Sequence, residues 1–310
     1  MKKGVIYIII LNYNGYKDTI ECVKSLRQVQ DLEYKIIIID NKSTNDSLTY
    51  IHQECSDCVI IENEDNLGFA GGNNVGFKYA IENNAEYILI LNNDTVVDKM
   101  FLEELINAFE DEEIGLAVPK VYFDDSTIIN AFGAEKGFLE GVRNVGENVS
   151  DSEAFSKDTF VTHVMGCCML FKTEVIKRVG MFDERFFMYL EESDLCERIN
   201  KLYKIKVIGK AKIWHKCGAS TNIKNQKVNY FSRYYTRRNF LLYLDKNCQG
   251  FKKWLVKTIL LLKDLVYITR NFKDKKYRMI IFKAWKDYSN KNFYRSDYIQ
   301  NLLLSQKSNN

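Results

Sequence analysis

VIYIIIL (5–11) is the first of four short β-branched runs that decide the fold; the others are KIIIID (35–40), VIIE (59–62) and YILILN (87–92). Helix-like patterns separate these runs, near residues 16–29, 44–55 and 72–83. Strands that alternate with helices in this way build a parallel sheet. Because the runs are apolar throughout, we expect helices on both faces of that sheet. The sequence therefore predicts an α/β fold.

The rest of the chain is expected to extend this sheet and then to become helical. A helix is predicted near 99–110, short strands and turns over 115–165, and a strand at 205–208. From about residue 229 the pattern is helical and basic. The prediction is thus a mixed, mainly parallel sheet with a helical appendage at the C-terminal end.

Length and composition fit a protein with a sizeable core. The chain has 310 residues, of which 46% are hydrophobic. No stretch reaches the roughly 18 consecutive apolar residues of a membrane span, since Lys257, Lys263 and Asp264 interrupt the most apolar segment, residues 254–269. We therefore expect a cytoplasmic protein, and a peripheral contact with the inner face of the cell membrane stays open.

Eight cysteines occur without the spacing of a disulfide framework. Cys55 and Cys58 form one Cys-x-x-Cys motif, but no second pair completes a zinc site. Reduced thiols are therefore expected.

Polar residues follow each of the four strands, at 12–15, 40–41, 66–74 and 92–94. Ligands of open α/β sheets bind at the carboxyl ends of the strands, so these residues are expected to meet in one crevice. Asp94 can hold Mg²⁺ or Mn²⁺ there, and Asp40 can accept hydrogen bonds from a ribose or a base. Each aspartate, taken alone, is also typical of a helix N-cap or a turn.

NLGFAGGNNVG (66–76) is rich in glycine and lies between a strand and a helix, so its backbone can approach a ligand closely. The spacing is not G-x-G-x-x-G, and the segment follows the third strand, not the first. A dinucleotide-dependent dehydrogenase is therefore disfavoured.

MFDERFFMYLEESDLCER (181–198) places Glu191, Glu192 and Asp194 where a helix begins. A solvated helix face is the alternative for such an acidic group, but the preceding FFMYL is too apolar for a free surface, which favours the edge of a cavity. His215, one of only three histidines, can complete a metal site with Asp94, or it can be a structural histidine.

Taken together, the segments resemble the family 2 glycosyltransferases with the GT-A fold, a Rossmann-like fold of nucleotide-diphospho-sugar transferases, and most closely their rhamnosyltransferase-like branch. The resemblance covers about residues 4–240. In chain order, the matching pieces are LNYNG, the strand-end Asp40, DNLGFAGGNNVGF, LNNDT, MGCCMLFKTEVIKRVGMFDERFFMY, EESDLCER and WHKCGAS.

The resemblance implies roles for single residues on the donor side. Tyr13, Asn14 and Asp40 would hold the nucleobase end of a nucleoside-diphosphate sugar. Asn66, Gly68 and Asn74 would shape the wall at the ribose and phosphates, with Asn92 and Asn93 beside them. Asp94 and His215 would bind the divalent metal, Mn²⁺ or Mg²⁺.

The resemblance also implies an inverting transfer in which a carboxylate removes the proton of the acceptor hydroxyl. The family's acidic motif reads Glu-Asp-x-Asp, whereas this chain has Glu191, Glu192, Ser193 and Asp194. Glu192 therefore occupies the position of the base, and Glu191 is its rival. The metal motif, Asn92-Asn93-Asp94, lacks the first acid of the familiar Asp-x-Asp.

On this resemblance, residues 1–228 form the catalytic domain, with a nucleotide-sugar half (1–98) and an acceptor half (99–228), and residues 229–310 form a basic helical region. Residues 201–310 carry 26 Lys and Arg against 5 Asp and Glu, whereas residues 1–200 carry 18 against 36. The basic region suits an anionic membrane surface or a lipid-linked acceptor. Helix packing or a homodimer is the alternative, and no motif supports nucleic acid binding.

Three functions remain open from the sequence. The first is a glycosyltransferase that builds a cell-surface polysaccharide or extends a lipid-linked saccharide, with dTDP-rhamnose as the preferred donor and UDP-galactose, UDP-glucose or a UDP-N-acetylhexosamine as the alternatives. The second is a nucleotide-sugar-binding homologue without catalysis. The third is a nucleotidyltransferase, for which LNYNGYKD (11–18) lacks the expected Gly-rich basic loop.

Overall fold

The computed structural model describes residues 4–30, 32–137, 142–217, 230–270 and 272–301. Three predicted features reach beyond these residues: the boundary at 228/229, the last three residues of the WHKCGAS motif, and the end of the basic helical region.

Thirteen strands lie within the described residues. They are β1 (Ile6–Asn12), β2 (Tyr34–Asp40), β3 (Val59–Glu62), β4 (Tyr87–Asn92), β5 (Thr95–Val97), β6 (Ile114–Phe123), β7 (Ile128–Ala131), β8 (Ala134–Lys136), β9 (Val142–Asn144), β10 (Val149–Ser150), β11 (Thr159–Val161), β12 (Cys168–Lys172) and β13 (Lys204–His215).

The described residues also contain nine α-helices. They are α1 (Tyr16–Leu26), α2 (Ser47–Glu54), α3 (Gly68–Glu82), α4 (Phe101–Asn107), α5 (Thr173–Val179), α6 (Glu191–Ile199), α7 (Tyr230–Asn247), α8 (Gly250–Arg270) and α9 (Lys275–Ser289).

The strands form one mixed sheet and a separate hairpin of β8 and β9. β3, β2, β1 and β4 are neighbours in that order and run parallel. β12 then runs antiparallel between β4 and β6, and β13 runs parallel to β6 and antiparallel to β5 and β11. The predicted mixed α/β sheet is confirmed.

The continuous apolar runs are explained by burial on both faces of the sheet. Ile8 and Ile10 of β1 pack in one core cluster with Val23 of α1, whereas Ile9 packs in a second cluster with Phe77 of α3. Successive side chains of a strand point to opposite faces. A strand covered by helices on both sides therefore needs apolar residues at every position.

α3 begins at Gly68, four residues before the predicted start, because its glycines are packing positions. A Cβ added at Gly72 would lie 2.4 Å from Leu11 Cδ1, and one at Gly76 would lie 2.5 Å from Ile9 Cγ2. The helix thus lies close against β1, where a larger residue has no room. β13 is also longer than expected, and its continuation to His215 matters for the site.

The C-terminal helices pack against each other and against the sheet domain. Phe231 and Tyr235 of α7 form a cluster with Ile280 of α9 and with Phe187. Tyr234 donates a hydrogen bond to Asp287 of α9 at 2.5 Å. In the part of the chain that the structure describes, no helix is both long and apolar enough to cross a bilayer.

Candidate active site

A cavity of about 340 Å³ opens at the carboxyl ends of β1, β2 and β4. Its wall contains residues from both halves of the sheet and from the C-terminal helices. The lining residues are Leu11, Tyr13, Asn41, Asn66, Gly68, Phe69, Asn92, Asn93, Asp94, Met165, Gly166, Cys167, Phe187, Met188, Tyr189, Glu191, Glu192, His215, Phe231 and Gln300.

Asp94 and His215 lie side by side in this cavity, although 120 residues of chain separate them. The antiparallel pairing of β5 with β13 sets their position, because His215 is opposite Thr95 and the Lys216 amide donates to the Asp94 carbonyl at 3.0 Å. His215 Nε2 lies 3.1 Å from Asp94 Oδ1. The structure therefore brings together the two residues that the sequence suggested for a metal.

The electrostatics of His215 follow from its neighbours. Burial lowers the pKa of His215, but the hydrogen bonds and charges of Asp94 and Cys217 together outweigh burial and raise that pKa to about 10. Cys217 Sγ lies 3.3 Å from His215 Nδ1, and Asn130 Nδ2 donates to Cys217 Sγ at 2.8 Å. Nδ1 is thus occupied by the protein, and Nε2 points to Asp94.

Whether Asp94 and His215 suffice to bind a metal ion depends on how many ligands the protein must supply. Over residues 4–30, 32–137, 142–217, 230–270 and 272–301, no cluster of three or more His, Cys, Asp or Glu could hold a metal ion. Mg²⁺ and similar ions are commonly bound by one or two protein carboxylates, with water and substrate phosphates as the other ligands. One carboxylate and one oriented imidazole fit such a site, because a metal bound at Nε2 would release the proton that His215 directs to Asp94.

Glu191 and Glu192 begin α6 at another part of the cavity wall. Glu191 is buried, and its Oε2 has no hydrogen-bond partner among the described residues. Burial, followed by the charge of Glu192, raises the pKa of Glu191 well above its ordinary value. Burial also raises the pKa of Glu192, to about 6, although backbone amides and Ser193 favour its ionised form.

The segment before α6 has an unusual backbone. Phe187, Tyr189 and Leu190 have φ values of 63°, 72° and 73°, which non-glycine residues rarely adopt. Residues held in this conformation persist only when the surrounding structure stabilises them, and they concentrate at functional sites. We call residues 186–190 the acidic-motif loop, because they lead directly into Glu191.

α7 holds the acidic-motif loop in place. Asn239 Nδ2 donates to the carbonyls of Phe186, Met188 and Tyr189 at 2.8, 2.8 and 2.9 Å. Arg238, also fully buried, donates to the carbonyl of Phe186 at 3.0 Å. The basic helical region is therefore part of the construction of the site.

Gly68 supports the same loop from the opposite side. Its φ is 71°, and an added Cβ would lie 2.3 Å from the carbonyl oxygen of Phe187. Asn66 Oδ1 accepts from the Gly68 amide at 2.9 Å and from Asn41 Nδ2 at 3.1 Å. The donor-side residue Gly68 thus lies against the acidic-motif loop, and Asn66 bonds to Gly68.

Nine of the thirteen site residues suggested by the sequence line this cavity. They are Tyr13, Asn66, Gly68, Asn92, Asn93, Asp94, Glu191, Glu192 and His215. Asn14, Asp40, Asn74 and Asp194 do not, and the contacts of each explain why.

Asp40 and Asn14 organise the loops behind the cavity. The buried Asp40 carboxylate accepts from Asn12 Nδ2 at 2.7 Å and from the amide and hydroxyl of Ser43 at 2.8 and 2.6 Å. Asn14 Oδ1 accepts from the Thr44 amide at 2.7 Å. Asp40 and Asn14 do not line the cavity, and their contact with a nucleobase stays a prediction.

Asn74 and Asp194 are likewise engaged elsewhere. Asn74 Nδ2 donates to the Phe182 carbonyl at 3.0 Å. Asp194, fully buried, pairs with Arg198 at 3.1 Å and with Lys246 at 2.8 Å. These ion pairs favour a structural role for Asp194, and the catalytic role that the resemblance suggests for it stays a prediction.

Some lining residues carried no clear signal in the sequence. Met165, Gly166 and Cys167 precede β12 and belong to the matching segment that begins MGCC, but the sequence suggested no role for any of the three. Phe231 and Gln300 come from the helical region, far along the chain from the acidic motif. Only tertiary packing brings them to the cavity.

Three curated proteins are similar in sequence to this chain. The low-salt glycan biosynthesis hexosyltransferase Agl10 of Haloferax volcanii is 29% identical over 63% of this chain and 61% of its own length. The rhamnosyltransferase WbbL of Escherichia coli is 28% identical over 63% of this chain and 77% of its own. The dTDP-rhamnosyl transferase RfbF of Shigella flexneri is 26% identical over 78% and 80%.

Solved structures confirm the GT-A fold expected from the sequence. GalNAc-T7, crystallised with UDP, GalNAc and Mn²⁺, matches 93% of this chain and 56% of its own with a TM-score of 0.62 at 13% identity. The mannosyltransferase PcManGT of Pyrobaculum calidifontis, in complex with GDP-Man and Mn²⁺, matches 98% and 79% with a TM-score of 0.55 at 13% identity.

The family model named Glycosyl transferase family 2 matches residues 7–180, which contain β1 to β12 and Asp94. This match spans more than half of the chain, and two of the three relatives are rhamnosyltransferases. The chain belongs to glycosyl transferase family 2.

Proposed function

We propose that this protein is an inverting glycosyltransferase that moves a sugar from a nucleoside-diphosphate donor to a growing cell-surface polysaccharide or to a lipid-linked saccharide. One observation carries the proposal: a single cavity contains both the Asp94–His215 pair and the carboxylates of Glu191 and Glu192. Sugar transfer needs one group of residues at the departing diphosphate of the donor and another at the hydroxyl of the acceptor.

Asp94 and His215 would hold Mn²⁺ or Mg²⁺. Bound there, such an ion supplies positive charge for the leaving diphosphate. The relatives GalNAc-T7 and PcManGT, whose structures contain Mn²⁺ with UDP or GDP-Man, support this assignment.

We assign the general base to Glu192. A base must be ionised before it accepts a proton, and a pKa of about 6 leaves Glu192 mainly ionised at neutral pH. Burial and the charge of Glu192 raise the pKa of Glu191 well above its ordinary value, which disfavours its ionised form and makes Glu191 the weaker candidate. The acceptor hydroxyl gives its proton to Glu192 as its oxygen attacks the anomeric carbon opposite the leaving diphosphate, which inverts that centre.

The donor side of the cavity consists of Tyr13, Asn66, Gly68, Asn92 and Asn93. We propose that they bind the nucleotide and the sugar. Asn66 is fixed by Asn41, and Asn93 Nδ2 donates to Thr19 Oγ1 at 3.0 Å. Side chains that the protein already holds in place bind a ligand with a smaller loss of entropy.

dTDP-rhamnose is the preferred donor in this proposal, because the names of WbbL and RfbF specify rhamnosyl transfer. A UDP-sugar is the alternative, supported by the solved complex of S. aureus TarS 1-349 with UDP-GlcNAc, which has a TM-score of 0.54. The two are distinguished by turnover with each donor.

The test is donor turnover in Glu192→Gln and Asp94→Ala, compared with Glu174→Gln, which changes an exposed carboxylate on α5. Loss of a positioned base typically costs about 10²–10⁴ in rate. We expect losses of this order in both site variants and full activity in the control, with a melting temperature near that of the unchanged protein for Glu192→Gln and a lower one for Asp94→Ala, which removes the ion-pair partner of buried His215. Activity retained in both site variants would refute the assignment.

A further inference from the structure

Helix α8 (Gly250–Arg270) turns a mixed face toward the protein, on which Val256, Leu260 and Asp264 are buried. Asp264 is 3% exposed and accepts from Arg237 at 2.8 Å and from Trp285 Nε1 at 2.8 Å. Lys257 donates to Asp245 at 2.6 Å. A surface helix of a globular protein normally keeps its large apolar residues on the side toward the core, whereas α8 also carries several of them on its exposed side.

The outward side of α8 is apolar. Phe251 is 72% exposed, Trp254 62%, Leu262 56% and Leu265 49%. At about 100° of rotation per residue, these side chains lie within an arc of about 80° that is centred about 120° from Asp264. The row from Phe251 to Leu265 is about 21 Å long, since its 14 steps rise about 1.5 Å each. We call this row the outer face of α8.

Basic residues border the outer face. Lys252, Lys263 and Arg270 are exposed and fall within about 20° of one another around the helix axis. Asp264 is the only acidic residue within α8, and it is buried. Residues 230–301 as a whole carry 17 Lys and Arg against 5 Asp and Glu, a net charge of +12. The surface is therefore apolar at its centre and positive at its edge.

From this arrangement we propose that the outer face of α8 docks on the surface of a membrane that contains anionic phospholipids. The apolar side chains enter the boundary between headgroups and acyl chains, and the basic edge contacts the phosphates. α8 lies along the surface and does not cross it, because Lys253, Lys257 and Asp264 stay bound to the protein.

Charge favours a lipid surface over a second copy of this chain. A twofold symmetric contact through the outer face would place the same positive surface on both sides, whereas an anionic bilayer neutralises it. Phe272, just after α8, and Phe282 of α9 are also exposed. The proposal does not depend on sugar transfer, since vesicle binding is measured without a donor.

The experiment is flotation of the full chain with vesicles of 70% phosphatidylcholine and 30% phosphatidylglycerol, with pure phosphatidylcholine for comparison. The test variant is Leu262→Glu/Leu265→Glu. The matched control is Leu202→Glu, because Leu202 is 50% exposed and lies in the turn between α6 and β13. We expect binding to the anionic vesicles only, a loss of at least tenfold in the test variant, and no change in the control.

The fluorescence of Trp254 provides an independent measurement of membrane binding. Its emission should shift to shorter wavelength on binding anionic vesicles and should be quenched by brominated acyl chains, and both effects should vanish in Trp254→Phe. Three results would overturn the proposal: no binding of the unchanged protein to anionic vesicles, equal binding by the test variant, or a dimer in light scattering that Leu262→Glu/Leu265→Glu dissociates while vesicles stay unbound.

Discussion

Gly68→Ala should destabilise the folded protein through one identifiable steric contact. The φ of Gly68 is 71°, and an added Cβ would lie 2.3 Å from Phe187 O and 2.5 Å from Phe187 Cδ2. Gly250 offers a matched control, because its φ is 59° and an added Cβ there meets nothing within 4 Å. Both substitutions impose the left-handed backbone on alanine, and only the one at Gly68 collides with the acidic-motif loop.

The magnitudes follow from these two contributions. A left-handed non-glycine residue costs about 1–2 kcal/mol, which is the full effect expected for Gly250→Ala. Overpacking adds about 1–3 kcal/mol, and the upper part of that range applies at Gly68 because the obstacle is a backbone carbonyl. We therefore expect Gly68→Ala to lower the free energy of unfolding by about 3–5 kcal/mol.

Urea denaturation of both variants measures the difference, and donor turnover of the folded fraction measures its consequence. Because Phe187 leads to Glu191 and Glu192, its displacement should lower turnover by about 100-fold, as expected for an ångström-scale shift of reacting groups. Gly250→Ala should keep full turnover. Equal destabilisation of the two variants would refute the proposed contact between Gly68 and Phe187.

Three further outcomes are expected. Asn239→Ala leaves the carbonyls of Met188 and Tyr189 without their donor and removes one of the donors to Phe186. It should lower the free energy of unfolding, measured by urea denaturation, by about 2–4 kcal/mol, against about 0.5 kcal/mol for exposed Asn83→Ala, which loses one such bond; equal losses would contradict the role of Asn239 in holding the acidic-motif loop. Turnover should fall as pH drops through about 6, because the raised pKa of Glu192 leaves it protonated below that value; a pH profile without that limb argues against Glu192 as the base. Asp194→Asn removes a buried partner of Lys246 and should lower the free energy of unfolding, measured by thermal unfolding, by about 3 kcal/mol. Turnover per folded molecule should stay unchanged, and a selective loss of turnover would support a catalytic role for Asp194.

The strands in the first half of the chain could be predicted because burial on both faces of the sheet requires a continuous run of apolar residues. β3 and β4 match the predicted ranges, β2 begins one residue earlier than predicted, and β1 is shifted by one residue at both ends. The start of α3 could not be predicted in the same way. Glycine usually marks a turn, but Gly72 and Gly76 are in a helix because β1 leaves no room for a Cβ.

The site was predictable where a residue's position along a strand determines its location. Asp94 follows β4, so the sheet topology alone places it at the crevice. The orientation of a side chain was not predictable: Asp40 also ends a strand, yet its carboxylate points to Asn12 and Ser43. Asn239 and its three carbonyl partners depend on packing between segments about 50 residues apart, which no local pattern records.

The most direct test of the proposed donor site is the melting temperature of the purified protein with dTDP, UDP or GDP, each with and without Mn²⁺, and the same series in Asp94→Ala. A ligand at 100 times its Kd stabilises the folded state by about 2.7 kcal/mol, or about 5 °C for a chain of this size. We expect a rise of this order with dTDP and Mn²⁺ together, and its loss in Asp94→Ala. A rise with UDP alone among the nucleotides would change the donor to a UDP-sugar, and no rise with any nucleotide in either condition would contradict the donor site itself.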